Sequence, residues 1–219
     1  MRCTAFISRP ATTDRSVVQP SRVTPSSTDA SSRTTARERI VGTAYDLFCL
    51  YGIQAVGIDR IVAEAGVAKT TLYHHFRSKD DLVLAVLELR RDVWTRGWLV
   101  PAIERRGGSA AERLLATFDA LDEWFRQDDY EGCLFANSLL EARDPGSPVV
   151  GAASAGLAEV REHLSMLAAE AGARDPQELA RQLQIMMLGA IVAAVEGNRA
   201  AAAEARPVAA LLLERSLGE

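Results

Sequence analysis

Apolar residues recur at three- and four-residue spacings along most of this chain, which is the pattern of amphipathic α-helices. The clearest case lies between residues 57 and 79, where two short helices are predicted on either side of Gly66. Glycine tolerates the left-handed backbone conformation that ends many helices, so Gly66 predicts a tight turn between the two. Two short helices joined by such a turn form a helix-turn-helix, here at about residues 57–76.

The second helix of this motif separates apolar and polar side chains onto opposite faces. Val67, Leu72 and Phe76 form its inward set. Its other face carries the polar side chains of Lys69, Thr70, Thr71, Tyr73, His74 and His75. The only two lysines of the chain, Lys69 and Lys79, both fall in this stretch. A helix that presents donors and a cation is suited to the major groove of DNA, where base edges and phosphates accept hydrogen bonds.

The pattern is helical on both sides of the motif as well. A capping box from Thr35 to Glu38 starts the first helix. Ser78 caps a helix that continues to about residue 98, and Pro101 with the glycines at 107 and 108 predicts its end and a hinge. Further helices are predicted at about residues 109–127, 132–143 and 147–172, then from the start signal at Asp175 to residue 195, and at 199–217. With few strand-like runs, the sequence favours an all-α class.

The stretch from Leu183 to Val195 is apolar on nearly all sides. Its thirteen residues are too few for a bilayer span, which needs about 20. A helix that is apolar all round must be buried all round, so one side is expected to pack on its own core and the other on a partner chain. We therefore predict a homodimer built from the last two helices, with Leu183, Met187, Ile191, Val195 and Leu212 at the interface. Pro207 is expected to kink or restart the final helix.

Charge is divided unevenly along the 219 residues. The net charge of −4 consists of +3 in residues 1–33, +1 in residues 34–80 and −8 in residues 81–219. An acidic body with its cations gathered towards one end is compatible with binding a polyanion. The three cysteines show no metal-like spacing and indicate a reducing compartment, not a disulfide scaffold.

Residues 1–33 are rich in Ser, Thr, Arg and Pro and show no apolar period. We interpret them as a disordered N-terminal extension. Two alternatives remain open: an arm whose Arg22 and Arg33 reach the minor groove or phosphates, and an organelle transit peptide.

The segment AGVAKTTLYHHFRSKDDL resembles the signature of the tetracycline-repressor (TetR) family of bacterial regulators. The resemblance covers about residues 34–94 and is weak beyond them. It implies an N-terminal three-helix helix-turn-helix DNA-binding domain, residues 34–80, followed by a C-terminal helical effector-binding and dimerisation domain, residues 81–219. It also implies that Tyr73 and Lys79 contact phosphates and that the last two helices form the dimer.

The candidate DNA-binding residues divide by role. Lys69, Thr70, Thr71 and His74 are predicted to read base edges, although the two threonines also suit helix capping. Phosphate contacts are expected from Tyr73, His75, Lys79 and Arg37. Many relatives carry a hydroxyl where Gly57 stands, so here only backbone N–H groups are predicted to serve. His74 and His75 point about 100° apart on a helix, and we predict neither a metal site nor a cofactor.

A second set of residues suggests a sensor in the C-terminal part. An apolar ligand pocket is predicted from Trp94, Trp98, Phe118, Trp124, Phe125, Met166, Met186 and Met187, each of which also suits an ordinary core position. Cys133 begins a predicted helix, whose dipole is expected to lower its pKa, so a thiol redox sensor is an alternative.

The sequence thus predicts a cytoplasmic, ligand-responsive transcriptional regulator, a repressor released from a palindromic operator by a small apolar or amphipathic effector. An enzyme is disfavoured because no nucleophile elbow, phosphate loop or dinucleotide fingerprint occurs and His163 stands alone as a general base. The other rival is a helical dimer whose helix-turn-helix binds protein. A membrane partner is not expected.

Overall fold

The computed structural model describes residues 34–142 and 144–218, and within these ranges the backbone is helical, without β-strands. The helices are α1 (Ala36–Tyr51), α2 (Ile58–Ala65), α3 (Lys69–His75), α4 (Lys79–Arg90), α5 (Val100–Arg105), α6 (Ala110–Phe125), α7 (Leu134–Glu141), α8 (Pro148–Glu170), α9 (Pro176–Glu196) and α10 (Ala201–Leu217), with a π-helical segment (Arg91–Leu99) between α4 and α5. The predicted all-α class is confirmed. The predictions for residues 1–33 fall outside the described residues.

Side-chain caps start the helices where the sequence predicts them. The Thr35 hydroxyl accepts from the Glu38 amide at 3.2 Å, and the Glu38 carboxylate accepts from the Thr35 amide at 2.8 Å. The Asp81 amide donates to the Ser78 hydroxyl at 3.1 Å at the start of α4. Because these contacts satisfy amides that a helix start leaves free, each fixes a helix boundary locally.

The first three helices form the predicted helix-turn-helix and its support. Gly66 ends α2 with φ 63°, the left-handed conformation that turns the chain into α3. Ile61 of α2 and Leu72 of α3 are both fully buried, and both helices pack on α1. Burial of these apolar residues fixes the angle between α2 and α3 and leaves the opposite face of α3 in solvent.

A single long helical rod connects this unit to the rest of the chain. It runs from Lys79 through the π-helical segment to Arg105, and α4 packs against both α1 and α8. The predicted end of this helix at about residue 98 is therefore wrong. Pro101 lies in the first turn of α5, where a missing backbone N–H is tolerated. The chain turns after Arg105, at the two glycines.

The C-terminal helices form a bundle in which α9 packs between α8 and α10. Helix α9 is long and apolar enough to cross a membrane by length and composition. However, its side chains at Leu183, Met187 and Ile191 are buried in the core of the bundle. It is a core helix of the bundle. Helix α10 continues through Pro207 without restarting, which corrects the restart considered above.

Candidate DNA-binding surface and effector core

Helix α3 presents a polar face to solvent above a buried anchor. Leu72 has no exposed surface, and Phe76, which follows the helix, is 4% exposed. On the other face Lys69, Thr70, His74 and His75 are exposed, Tyr73 is 46% exposed, and Thr71 is half-buried. The sequence-predicted donors thus lie together on one accessible helix, the geometry that a major groove requires. Contact of each residue with DNA stays a prediction.

Lys69 is held across the turn by an acidic neighbour that the sequence reasoning missed. Its ammonium group donates to Asp59 of α2 at 2.7 Å, and this hydrogen bond raises the pKa of Lys69. Both side chains are more than half exposed, so the pair contributes little to stability. Lys69 can therefore exchange Asp59 for a DNA acceptor at small cost.

Lys79 lies at the start of α4, where the sequence places it, and its side chain is half-buried. Its ammonium group donates to the Ile53 carbonyl and lies 6.0 Å from the Phe48 ring centroid. Burial lowers its pKa, against the opposing influence of Glu141 and Asp80. Lys79 thus ties the start of α4 to the loop after α1. A phosphate contact from Lys79 stays a prediction.

Glu141 joins the C-terminal part to the same loop. One carboxylate oxygen accepts from the Gln54 amide at 2.7 Å. The other lies so close to Gly52 that a Cβ there would approach it to 2.6 Å, and Gly52 has φ 80°. Only glycine meets both requirements without strain. Helix α7 therefore ends on the loop that precedes the helix-turn-helix.

The remaining candidates surround the same surface. Arg37 is exposed at the start of α1, and its guanidinium lies 5.4 Å from the Phe76 ring centroid beside the end of α3. Gly57 precedes α2 without a side-chain cap, as its missing side chain dictates. The rings of His74 and His75 meet edge to face at 5.4 Å. Among the described residues, no group of three or more His, Cys, Asp or Glu is placed to hold a metal.

An aromatic cluster fills the C-terminal core where a ligand pocket was predicted. The Trp94 and Trp124 ring centroids lie 5.0 Å apart, and Trp98 and Tyr130 pack against Trp124. Next to Trp94 is an apolar cavity of about 20 Å³, room for about one water molecule. The cavity is lined by Trp94, Cys133, Phe135, Leu157, Val160, Gln184, Met187, Leu188 and Ile191.

Only two of the predicted pocket residues, Trp94 and Met187, line this cavity. The cluster residue Trp98 is 8% exposed, Phe118, Trp124 and Phe125 are at most 1% exposed, and Met186 packs partly buried against the core. Met166 is 63% exposed on α8, so its assignment to an interior pocket is wrong. Its neighbours Leu164, Leu167 and Ala168 take the inward positions of that helix.

Arg90 is the residue of this core that sequence reasoning missed. It is 2% exposed, and its guanidinium donates to the Tyr45 hydroxyl at 2.7 Å. The guanidinium carbon lies 5.2 Å and 5.6 Å from the Trp94 and Trp124 ring centroids, respectively. A signal was present, because Arg90 continues the inward stripe of Val83, Val86 and Leu87 at helical spacing.

The environment of Cys133 does not favour the alternative in which this thiol acts as a redox sensor. Cys133 is 7% exposed, and burial raises the pKa of its thiol, although two backbone N–H groups and Arg90 act in the other direction. The expectation of a lowered pKa is therefore wrong, since desolvation outweighs the helix start. Cys49 is also buried, with a pKa raised to about 12 by the same cause. Neither thiol forms a reactive thiolate at neutral pH.

The exposed apolar face of the bundle differs from the predicted interface. Leu183, Met187 and Ile191 are at most 5% exposed within one protomer, so their placement between protomers is wrong. Val195 is 62% exposed and Leu212 is half-buried. The exposed apolar side chains of the last two helices, named here the α9–α10 face, are Ile185, Val192, Val195, Val208 and Leu211, each at least 50% exposed.

Comparison with known proteins identifies relatives over most of the chain. Residues 40–86 match the family model described as bacterial regulatory proteins, tetR family. The solved TetR-family transcriptional regulator SCO4454 from Streptomyces coelicolor is 32% identical, with 84% of this chain and 90% of that chain aligned at a TM-score of 0.76. The HTH-type transcriptional regulator YjdC of Escherichia coli is 25% identical over 71% of this chain and 81% of its own. The HTH-type transcriptional activator FasR of Mycolicibacterium smegmatis is 35% identical over 42% of this chain and 41% of its own.

Proposed function

This chain belongs to the TetR family of bacterial regulatory proteins, and we propose that it is a cytoplasmic, homodimeric repressor that a small effector releases from a palindromic operator. Membership makes it a DNA-binding transcriptional regulator and not an enzyme. The division into a DNA-binding part, residues 34–80, and an effector-binding and dimerisation part, residues 81–219, belongs to this proposal.

The observation that carries the proposal is the exposed polar face of α3 above the buried Leu72. Base edges in the major groove are read by side chains of this kind, and phosphates around the groove accept from neighbouring donors. Lys69, Thr70, Thr71 and His74 are the proposed base-reading residues. Tyr73, His75, Lys79, Arg37 and the backbone at Gly57 are the proposed phosphate contacts.

The α9–α10 face supports the dimer. Ile185, Val192 and Val195 lie on one side of α9, and Val208 and Leu211 lie on one side of α10. Five large apolar side chains are exposed on two helices that pack against each other, and large exposed apolar patches commonly mark interaction sites. The same two helices of a second protomer would cover these side chains and form a four-helix interface. The two α3 helices of the dimer would then bind one DNA duplex.

The aromatic core and helix α7 support an effector response. Cys133 and Phe135, at the start of α7, border the apolar cavity. Glu141, at its other end, accepts from Gln54 in the loop before the helix-turn-helix. An apolar or amphipathic molecule that widens the cavity would displace α7 and the rod from Lys79 to Arg105, and so change the separation of the two α3 helices. Such couplings typically amount to about 1–3 kcal/mol.

Selection of binding sites from random DNA tests the DNA-binding proposal. The dimer is expected to enrich two inverted half-sites whose centres lie about 34–36 Å apart or at a multiple of that distance. Enrichment of a single unrepeated half-site, or of no sequence, would contradict it. A reporter gene placed downstream of the selected site is expected to lose expression when the protein is present; a gain would indicate activation instead.

A further inference from the structure

Three buried side chains in the aromatic core offer hydrogen-bond donors in one place. Arg90 is 2% exposed, Trp94 is 4% exposed and Trp124 is 1% exposed. The Arg90 guanidinium lies against both indole rings and donates to the Tyr45 hydroxyl. Within residues 34–142 and 144–218, no carboxylate forms an ion pair with it. A buried cation without an ion-pair partner is costly, so the site favours an anion.

The two indole N–H groups reinforce this imbalance. Nε1 of Trp94 and Nε1 of Trp124 are both buried, and neither has an acceptor among the described residues. Buried donors are normally paired, and an unpaired one costs about 1–3 kcal/mol. With Arg90, the two indoles give this core three buried donor groups, while the carboxyl group of Glu131, which interacts with Arg90, has one buried oxygen without a hydrogen-bond donor.

The carboxyl group of Glu131 interacts electrostatically with Arg90 but compensates its charge only in part. Burial raises the pKa of Glu131 to about 7, against the lowering influences of Cys49 and Arg90, so its carboxyl group is only partly ionised at neutral pH. The thiols of Cys49 and Cys133 interact with Arg90 but stay neutral, because burial raises their pKa. No full negative charge from these groups faces the guanidinium.

The apolar cavity borders one of these donor residues, Trp94, while Arg90 and Trp124 lie behind its walls and do not line it. Trp94 lines it, and so does Cys133, which interacts electrostatically with Arg90. The other walls are largely aliphatic, and the one polar wall residue, Gln184, already bonds Arg161 and the Leu157 carbonyl. At about 20 Å³ the cavity must widen to admit a ligand. Met187 is a flexible wall residue, and Trp94 lies on the π-helical segment, a backbone form frequent at functional sites.

We propose that this core binds an apolar carboxylic acid, whose carboxylate accepts from Arg90 and from the Trp94 indole N–H and whose hydrocarbon body occupies the widened cavity. This inference names the effector class of the ligand response proposed above and rests on that response. The acid is recognised by its charge and its apolar length together, so a neutral molecule of the same skeleton is a poor substitute.

Intrinsic fluorescence provides a direct test on the unmodified protein. All three tryptophans of the chain, Trp94, Trp98 and Trp124, lie in this cluster. Titration with decanoate is expected to change their emission with an affinity at least about tenfold higher than that for decan-1-ol. Equal affinities for the acid and the alcohol, or no binding of decanoate, would overturn the inference.

Two substitutions separate recognition from folding. Arg90→Met keeps the volume and removes the charge, and it is expected to reduce the preference for decanoate over decan-1-ol to about one. Trp94→Phe keeps the ring and removes one donor, and it is expected to weaken decanoate binding roughly tenfold or more. Arg105→Met, at an exposed position of α5, is the matched control and is expected to leave both affinities unchanged. An unchanged preference in a folded Arg90→Met protein, or an unchanged decanoate affinity in a folded Trp94→Phe protein, would overturn the proposal, so one well-folded variant is enough for the test.

DNA release is measured separately on the selected operator. Decanoate is expected to lower operator affinity in the wild-type protein and not in Arg90→Met. If decanoate binds with the expected preference but leaves DNA affinity unchanged, the result would support the proposed acid site and contradict the proposed release of the repressor by a ligand. If the protein binds its operator normally but does not bind decanoate, the result would support the proposed DNA-binding function and contradict the proposed acid site.

Discussion

Replacement of both Thr70 and His74 by alanine is expected to lower affinity for the selected operator about a thousandfold or more. The two side chains lie one helical turn apart on the exposed face of α3, and a dimer presents each of them twice. Each base contact contributes about 1–3 kcal/mol of discrimination, and the loss of four contacts at the lower value corresponds to about a thousandfold. Fluorescence anisotropy with labelled operator DNA measures the change.

The same variant is expected to keep its affinity for random DNA within a few-fold, because base-reading side chains contribute little to non-specific binding. Both positions are exposed, so thermal unfolding is expected to shift little. Arg105→Ala, which removes an exposed cation far from α3 in sequence, is the control and should leave operator affinity unchanged. Near-wild-type operator affinity in the double variant would show that another surface reads the sequence.

A Val192→Asp substitution is expected to convert the dimer to a monomer at micromolar concentration. Val192 is 64% exposed in one protomer and lies within the α9–α10 face. In the dimer it would be covered, and each protomer would then bury a carboxylate without a cationic partner, which costs several kcal/mol. We expect the dimer dissociation constant to rise at least about a hundredfold, measured by sedimentation velocity.

Leu140→Asp is the matched control for the dimer test. Leu140 is an apolar side chain on α7 with 83% exposure, outside the α9–α10 face. The control should remain dimeric, while Val192→Asp should also lose most of its operator affinity, since one α3 helix reads only one half-site. If the Val192→Asp protein remains dimeric, the dimer interface lies on a surface other than the α9–α10 face.

The DNA-binding motif was predictable because its determinants are local. The cap at Thr35, the left-handed Gly66 and the stripe of Ile61 and Leu72 each act within a few residues of their own position. Sequence spacing alone therefore fixed the boundaries of α2 and α3. The hydrogen bond from Lys79 to the Ile53 carbonyl was not predictable, because its two partners lie 26 residues apart and no local pattern reveals such a contact.

The C-terminal part was predictable in class but not in detail. Helix α9 is apolar on nearly every side, so periodicity cannot tell which side faces the core; the structure assigns Leu183 and Met187 to the interior and Ile185 and Val192 to the surface. Arg90 was overlooked because a charged residue is rarely fully buried, even when it falls on an inward stripe. Both cases depend on how helices pack against one another, which spacing does not encode.

The salt dependence of operator binding tests most directly the claim that a dimer presents its α3 helices and their flanking donors to one DNA duplex. If six to ten phosphates are engaged, operator affinity should fall about 10³–10⁵-fold between 50 and 200 mM NaCl, with a linear relation between the logarithms of affinity and salt concentration. An affinity that hardly changes over this range would contradict the account.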